Sequence, residues 1–178
     1  MSNTIYLIVG ESGSGKDTIV NELVRRYGMK RIDSYTTRPS RGPDDRHVFV
    51  DDYHEWLLRN PNDTVVGYTE FSGHHYWASA SQVEENDLYI IDPDGVRFFR
   101  TAYTGPKSVK VVYLYVPAIV RFMRMMERGD GFISSMKRII HDKTKFAGAM
   151  QMADRVIGDG SIGHMTGELW SYIHGCKN

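Results

Sequence analysis

The chain has 178 residues, with 22 Lys plus Arg against 22 Asp plus Glu and a single cysteine, Cys176. That length fits one domain, which can bury roughly 70% of its unfolded surface without a staple. The balanced charge excludes a broad footprint for DNA or RNA, the lone cysteine excludes a disulfide framework, and no apolar run approaches the roughly 18 residues of a membrane span. With no signal-like series at the start, the expectation is a cytoplasmic protein that binds small molecules, with no nucleic-acid or membrane partner.

Residues 5–9, Ile-Tyr-Leu-Ile-Val, form an apolar run too short for a helix and suited to a buried strand. Gly10-Glu11-Ser12-Gly13-Ser14-Gly15-Lys16-Asp17-Thr18 follows and leads into an amphipathic pattern at Ile19, Val20, Leu23, Val24 and Tyr27, with Gly28 placed to end it. Strand, glycine loop and helix are the context of a phosphate cradle. The glycines let successive amides converge at the positive end of the helix dipole, and the stem of Lys16 reaches outer phosphates. Asp17 stands where the GxxxxGK[ST] loop has its magnesium-binding hydroxyl, and Thr18 comes one residue late. A carboxylate is itself a hard-oxygen ligand, so Asp17 is the candidate magnesium residue. Without a ligand, the same stretch reads as a glycine-rich turn with an acid in the first helical turn.

Residues 29–33 read as a short strand and 34–46 as a polar loop carrying Arg38, Arg41 and Arg46, either solvated or clamping an anion with guanidinium forks. A short strand at 47–50 precedes a helix through Tyr53, Trp56 and Leu57, capped by Asp51 or Asp52. Strands at 65–71 and from 76 flank a turn with His74 and His75, which lack partners at metal-ligand spacing and read as solvated. A capped helical turn at 79–85 and a buried strand at 87–91 follow. Asp92 then stands where open α/β sheets hold ligands, or simply caps the next helix with Pro93 at its first position. The helix from there extends to about 103, a third apolar strand covers 109–116, and Pro117 opens another helix. Arg121, Arg124 and Arg128 share a face of that helix, and Gly129-Asp130-Gly131 separates them from a helix carrying Lys137 and Arg138 that is expected to run to about 153. A strand at 155–157 and a helix at 168–173 close the pattern. Strands alternating with helices imply a parallel sheet with helices on both faces.

Gly10-Glu11-Ser12-Gly13-Ser14-Gly15-Lys16, Ser34-Tyr35-Thr36-Thr37-Arg38-Pro39-Ser40-Arg41, Phe71-Ser72-Gly73-His74-His75-Tyr76, Asp92-Pro93-Asp94-Gly95-Val96 and Glu127-Arg128-Gly129 together resemble the guanylate kinase family over nearly the whole chain. The resemblance implies a P-loop three-layer α/β/α fold with a core at 1–33, 82–127 and 150–178. It also implies an inserted small mixed-sheet substrate region at 34–81 and a helical lid at about 128–149. The implied cofactors are ATP, bound by residues 10–18, and Mg2+, near Asp17. The implied acceptor is a nucleoside monophosphate, GMP or dGMP, held by Ser34, Arg38, Arg41, His47, Tyr76 and Asp92. Lys16, Arg128 and Arg138 are the implied catalytic residues, in a monomer or homodimer.

Departures from the family pattern concentrate on the base. Gly67 replaces a base-reading glutamate and Ala78 a serine, and Glu70 reaches the same side only through a bulge or a slip of the alignment. His47 replaces a phosphate-binding tyrosine, and Gly158-Asp159-Gly160-Ser161 an Asn-Asp-Asp run. Asp17, His47 and the Asp-Gly-Ser turn also resemble ribose bisphosphate phosphokinase. A peptide-binding module of the same fold is the non-catalytic alternative; such modules tend to lack the loop lysine and lid arginines present here.

Overall fold

The computed structural model describes residues 3–43, 45–158 and 160–175; Cys176, Asp44 and Asp159 lie outside the described residues. In order the elements are β1 (Thr4–Val9), α1 (Lys16–Tyr27), β2 (Tyr35–Thr36), β3 (Val48–Phe49), α2 (Tyr53–Arg59), β4 (Val65–Phe71), β5 (His74–Ser79) and α3 (Ala80–Glu85). After these come β6 (Leu88–Ile90), α4 (Pro93–Ala102), β7 (Ser108–Tyr115), α5 (Ala118–Glu127), α6 (Phe132–Lys145), a 3-10 turn (Ala149–Met152), β8 (Arg155–Gly158) and α7 (Ile162–Gly175). One four-stranded parallel sheet has the order β6-β1-β7-β8, and a separate mixed sheet has the order β3-β2-β5-β4. The chain divides into two units: Met1–Ile5 with Lys30–Val109, and Tyr6–Met29 with Lys110–Asn178.

In the second unit Tyr6, Leu7, Ile8 and Val9 of β1 are all at most 1% exposed, which is why this run reads as unbroken apolar sequence rather than as alternation. Ile19, Val20 and Leu23 form the buried stripe of α1, and Met165, Leu169 and Ile173 that of α7. Tyr27 and Trp170 stack with ring centroids 3.6 Å apart. Asp154 pins β8 beside β7: its carboxylate accepts from the Val111 amide and its own amide donates to the Val111 carbonyl, both at 2.8 Å.

In the first unit β4 and β5 form a hairpin closed by Ser72 and Gly73, both at positive φ, as a two-residue turn matched to strand twist requires. Trp77 is fully buried against Tyr35, Tyr53 and Trp56, an aromatic core for a small sheet. Ser79 and Gln82 make a reciprocal capping box on α3, and Asp52 caps α2.

Four expectations need correction. Residues 29–33 make no strand, only a single parallel bridge from Arg31 to Leu88. Tyr35–Thr36, read as loop, is a strand because β3 and β5 pair with it on either side, a tertiary effect that local propensity does not carry. The helix expected to reach 153 stops at Lys145, and α7 begins at Ile162 instead of 168, since Gly163 and Gly167 are tolerated within it.

Candidate functional site

The predicted site residues fall into two groups, one in each unit. In the second unit the loop leaves β1 at Gly10 and enters α1 at Lys16, and the Lys16 ammonium folds over it to donate to the carbonyls of Gly10 (2.5 Å) and Glu11 (3.0 Å). Burial lowers the Lys16 pKa from the ordinary lysine value, an effect that Asp17 and Asp142 partly oppose. The backbone explains the glycines. Gly13 has φ +78, and a Cβ there would lie 2.7 Å from the Arg121 carbonyl oxygen, so no side chain fits where α5 approaches the loop.

On the basic face of α5, Arg121 is not solvated. Arg121 is 3% exposed: its Nε donates to the Val116 carbonyl (3.1 Å), one terminal nitrogen to the Ser12 carbonyl (3.2 Å) and the other to Glu11 Oε1 (3.1 Å). Arg124 donates to the Ser14 carbonyl at 3.3 Å. From α6 the buried Asp142 carboxylate accepts from the Ser12 amide at 2.7 Å. Asp142 lies outside the motif and no local pattern singles it out, while Arg121 stood out only as one of three basic residues at helical spacing.

Arg128 and Arg138 converge on one carboxylate. Arg128 pairs with Asp130 at 2.5 Å and Arg138 with the same oxygen at 3.3 Å. The hydrogen bond from Arg128 holds the Asp130 carboxyl below its usual range. Asp17 is exposed in the first turn of α1. Among the described residues no group of three His, Cys, Asp or Glu is placed to cage a metal. A single carboxylate beside a phosphate loop fits magnesium, which binds through one or two carboxylates together with substrate phosphates and water.

In the first unit the acceptor candidates gather around a residue that sequence reasoning passed over, Asp45. Arg38, 7% exposed, donates to Asp45 Oδ2 at 2.7 Å and to the Pro39 carbonyl at 2.7 Å, while its Nε is buried without a hydrogen-bond partner. The Arg41 amide donates to Asp45 Oδ2 at 3.0 Å, and its side chain is exposed. His47 Nδ1 lies 2.7 Å from Asp45 Oδ1, and Tyr76 meets the His47 ring edge-on at 5.9 Å. Burial would raise the Asp45 carboxyl, but hydrogen bonds from His47, Arg38 and the Arg41 amide outweigh it and hold this acid far below the carboxylate range. An acid in a loop with three arginines was the available signal.

Asp92 is both cap and neighbour of the sheet: Oδ1 accepts from the Gly95 amide at 2.7 Å and Oδ2 from the Thr69 hydroxyl at 3.2 Å. The buried Tyr89 hydroxyl donates to the Gly67 carbonyl at 3.5 Å, and its pKa is driven up chiefly by burial, which the neighbouring Ser34 partly opposes. Tyr89 also explains Gly67. That residue sits at φ +64 in a bulge where Val66 opposes Ala78 and Thr69 opposes Tyr76, and a Cβ on it would lie 2.7 Å from Tyr89 Cε1. The bulge is therefore real. Glu70 nevertheless opposes His75 and so stands on the face away from Tyr76. His75 is not in a solvated turn: it stacks on Tyr53, and its Nδ1 is 2.7 Å from the Tyr68 hydroxyl.

A glycine loop between a buried strand and a helix, in a parallel sheet accompanied by a small mixed sheet, defines the P-loop α/β class. The crystal structure of guanylate kinase from Anaplasma phagocytophilum superposes on 98% of the chain and 87% of its own length, with a TM-score of 0.63 and 19% identity, a likeness of fold. Among curated proteins, the guanylate kinase of Alkalilimnicola ehrlichii is 33% identical over 122 residues, 63% of this chain and 60% of its own length. A Legionella pneumophila guanylate kinase is 26% identical over 143 residues, 75% of this chain and 68% of its own length. No family model matches the chain. The chain is thus similar to guanylate kinases in sequence over part of its length, and to one of them in fold. The matched stretch is less than two thirds of the Alkalilimnicola protein.

Proposed function

We propose that the chain is an ATP-dependent nucleoside monophosphate kinase that transfers the γ-phosphoryl of ATP to GMP or dGMP, giving ADP and GDP or dGDP. The observation that carries this reading is the loop itself: an amide-lined turn at the start of α1 with the Lys16 ammonium lying along its carbonyls. Its closest support outside the chain is the name shared by the curated relatives. In this reading residues 10–18 hold the triphosphate, Lys16 neutralises charge on the transferring phosphoryl, and Asp17 contributes to the shell of a magnesium ion that withdraws charge from the phosphates. Arg128 and Arg138 exchange Asp130 for phosphate oxygens. They belong to a lid at about 128–149, and the substrate region is 34–81. Arg38, with a buried N–H to spare, grips the acceptor phosphate together with Ser34, Arg41, His47 and Tyr76, and Asp92 orients the acceptor. The acceptor oxygen is already ionised, so positioning and charge neutralisation supply the rate.

Gly67 offers no carboxylate to a base and Tyr89 leaves no room for one, so contacts to guanine come from other groups. The test is ADP release, with magnesium and ATP, against a panel of GMP, dGMP, AMP, other monophosphates and ribose 1,5-bisphosphate. Highest kcat/KM with GMP or dGMP is expected. Preference for the bisphosphate would reassign the acceptor, and no turnover with any acceptor alongside peptide binding would overturn the enzymatic reading. No helix among the described residues is long and apolar enough to cross a membrane. Cytoplasmic residence and a monomeric or homodimeric state remain parts of the proposal.

A further inference from the structure

Two buried charges in the loop unit have no part in the chemistry above. Arg121 and Asp142 are 3% and 4% exposed, their side chains approach to 3.5 Å, and they come from different helices, α5 and α6. Isolated charges at such depth are costly, and each is satisfied here by the same short stretch of backbone. Asp142 takes the Ser12 amide while Arg121 takes the Ser12 carbonyl, so both polar groups flanking this residue are held by side chains more than 100 positions away. Arg121 further engages Glu11 and the Val116 carbonyl that precedes its own helix. The backbone of α5 closes the remaining side by seating Arg121's own carbonyl against Gly13.

A loop rich in glycine has many conformations to lose when it wraps a polyphosphate, and a loop already held in one of them loses fewer. We propose that Arg121 and Asp142 are positioning residues that brace Ser12 and Gly13 in the phosphate-ready shape before the donor nucleotide arrives. This rests on the reading of the loop as the ATP site. Asp142 lies four residues after Arg138 on α6 and so shares its face, which makes the same carboxylate the point that ties the helix carrying Arg138 to the loop.

The two residues carry opposite charges, and this makes the idea testable. A brace fails whichever end is cut, whereas a simple effect of charge on a bound polyphosphate changes sign between them. ATP affinity is measured by calorimetry without acceptor, and KM for ATP and for GMP by ADP release, in wild type, Asp142→Ala, Arg121→Met, Asp142→Asn and the double variant Arg121→Met/Asp142→Leu. Both single truncations are expected to weaken ATP by about 10-fold to 100-fold, the scale of a lost hydrogen bond to a charged group, with the GMP KM within about twofold. Asp142→Asn keeps an acceptor for the Ser12 amide and is expected to bind ATP within about threefold of wild type. The double variant removes both buried charges, so it melts above the weaker single variant yet still binds ATP poorly.

Tighter ATP binding in Asp142→Ala with weaker binding in Arg121→Met would show that charge alone acts, and would overturn the brace. Equal shifts of both KM values, or loss of folded protein alone, would do the same by showing a merely structural role. Unchanged ATP affinity in variants of a wild type that binds ATP sinks this inference only. A wild type that does not bind ATP sinks the reading of the loop as well.

Discussion

The glycine loop and the arginine loop both collect positive charge, but they keep it in different ways. Around the glycine loop the charged side chains are set mainly on backbone: Lys16, Arg121 and Arg124 on carbonyls and Asp142 on an amide, with the Glu11 carboxylate also on Arg121. Around the arginine loop they are set on one another, with Arg38 and His47 sharing the Asp45 carboxylate seven and two residues away. Arg128 and Arg138 repeat the second arrangement on Asp130. The difference follows from what supplies the grip. A site made of amides needs its backbone shape fixed, and long side chains from distant helices do that. A site made of guanidinium groups needs its side chains kept in place, and a nearby carboxylate does so while an anion is away.

Two substitutions break the comparison most strongly. Lys16→Met removes the one full charge aimed along the loop, and a loss on the order of 1,000-fold in kcat is expected in the ADP-release assay, the scale associated with charged groups at a transferring phosphoryl. Retained turnover would mean that the amides alone suffice. Arg38→Met removes a buried fork from the acceptor side. It should raise the acceptor KM by about 10-fold to 100-fold while leaving the KM for ATP nearly unchanged, as expected for a charged hydrogen bond made to one substrate only. A matching rise in both values would show that the two grips are not separate.

The glycine loop was legible in sequence because its signal is local: a strand, three glycines and a lysine in register, then a helical stripe ended by Gly28. The paired strands β4 and β5 and the capping box at Ser79 were legible for the same reason. What holds the loop was not. Asp142 meets Ser12 across 130 residues, and an acid in the middle of a basic helix looks like solvated surface until the fold buries it. Arg121 misled in the opposite direction, since its spacing with Arg124 and Arg128 suggested one shared role, whereas burial separates it from the exposed Arg128. The bulge at Gly67 was foreseeable only as an option. Its consequence, that Glu70 stays on the face away from Tyr76, depends on a register that sequence does not state.

Gly67 sharpens the comparison from the side of packing. Gly67→Ala places a Cβ against Tyr89 at a residue with φ +64, so strain and overpacking add, and a loss of about 2–3 kcal/mol is expected in urea unfolding. If the variant is as stable as wild type, the bulge relaxes and Tyr89 does not fix this wall.

The smallest effect expected is also the one that tests the placeholder role of Asp45 directly. Its pKa is depressed in the folded state because hydrogen bonds from His47, Arg38 and the Arg41 amide outweigh burial. An acid with a depressed folded value contributes stability above its unfolded value, near 3.8, and loses that contribution as pH falls through the folded value. Asp45→Asn should therefore be less stable than wild type at neutral pH, and the two urea midpoints should converge as the pH drops from about 4 toward 2, because only the wild type has this charge to lose. Curves that stay parallel over that range would mean that the Asp45 charge contributes nothing, and that Arg38 and His47 are held by the loop backbone alone.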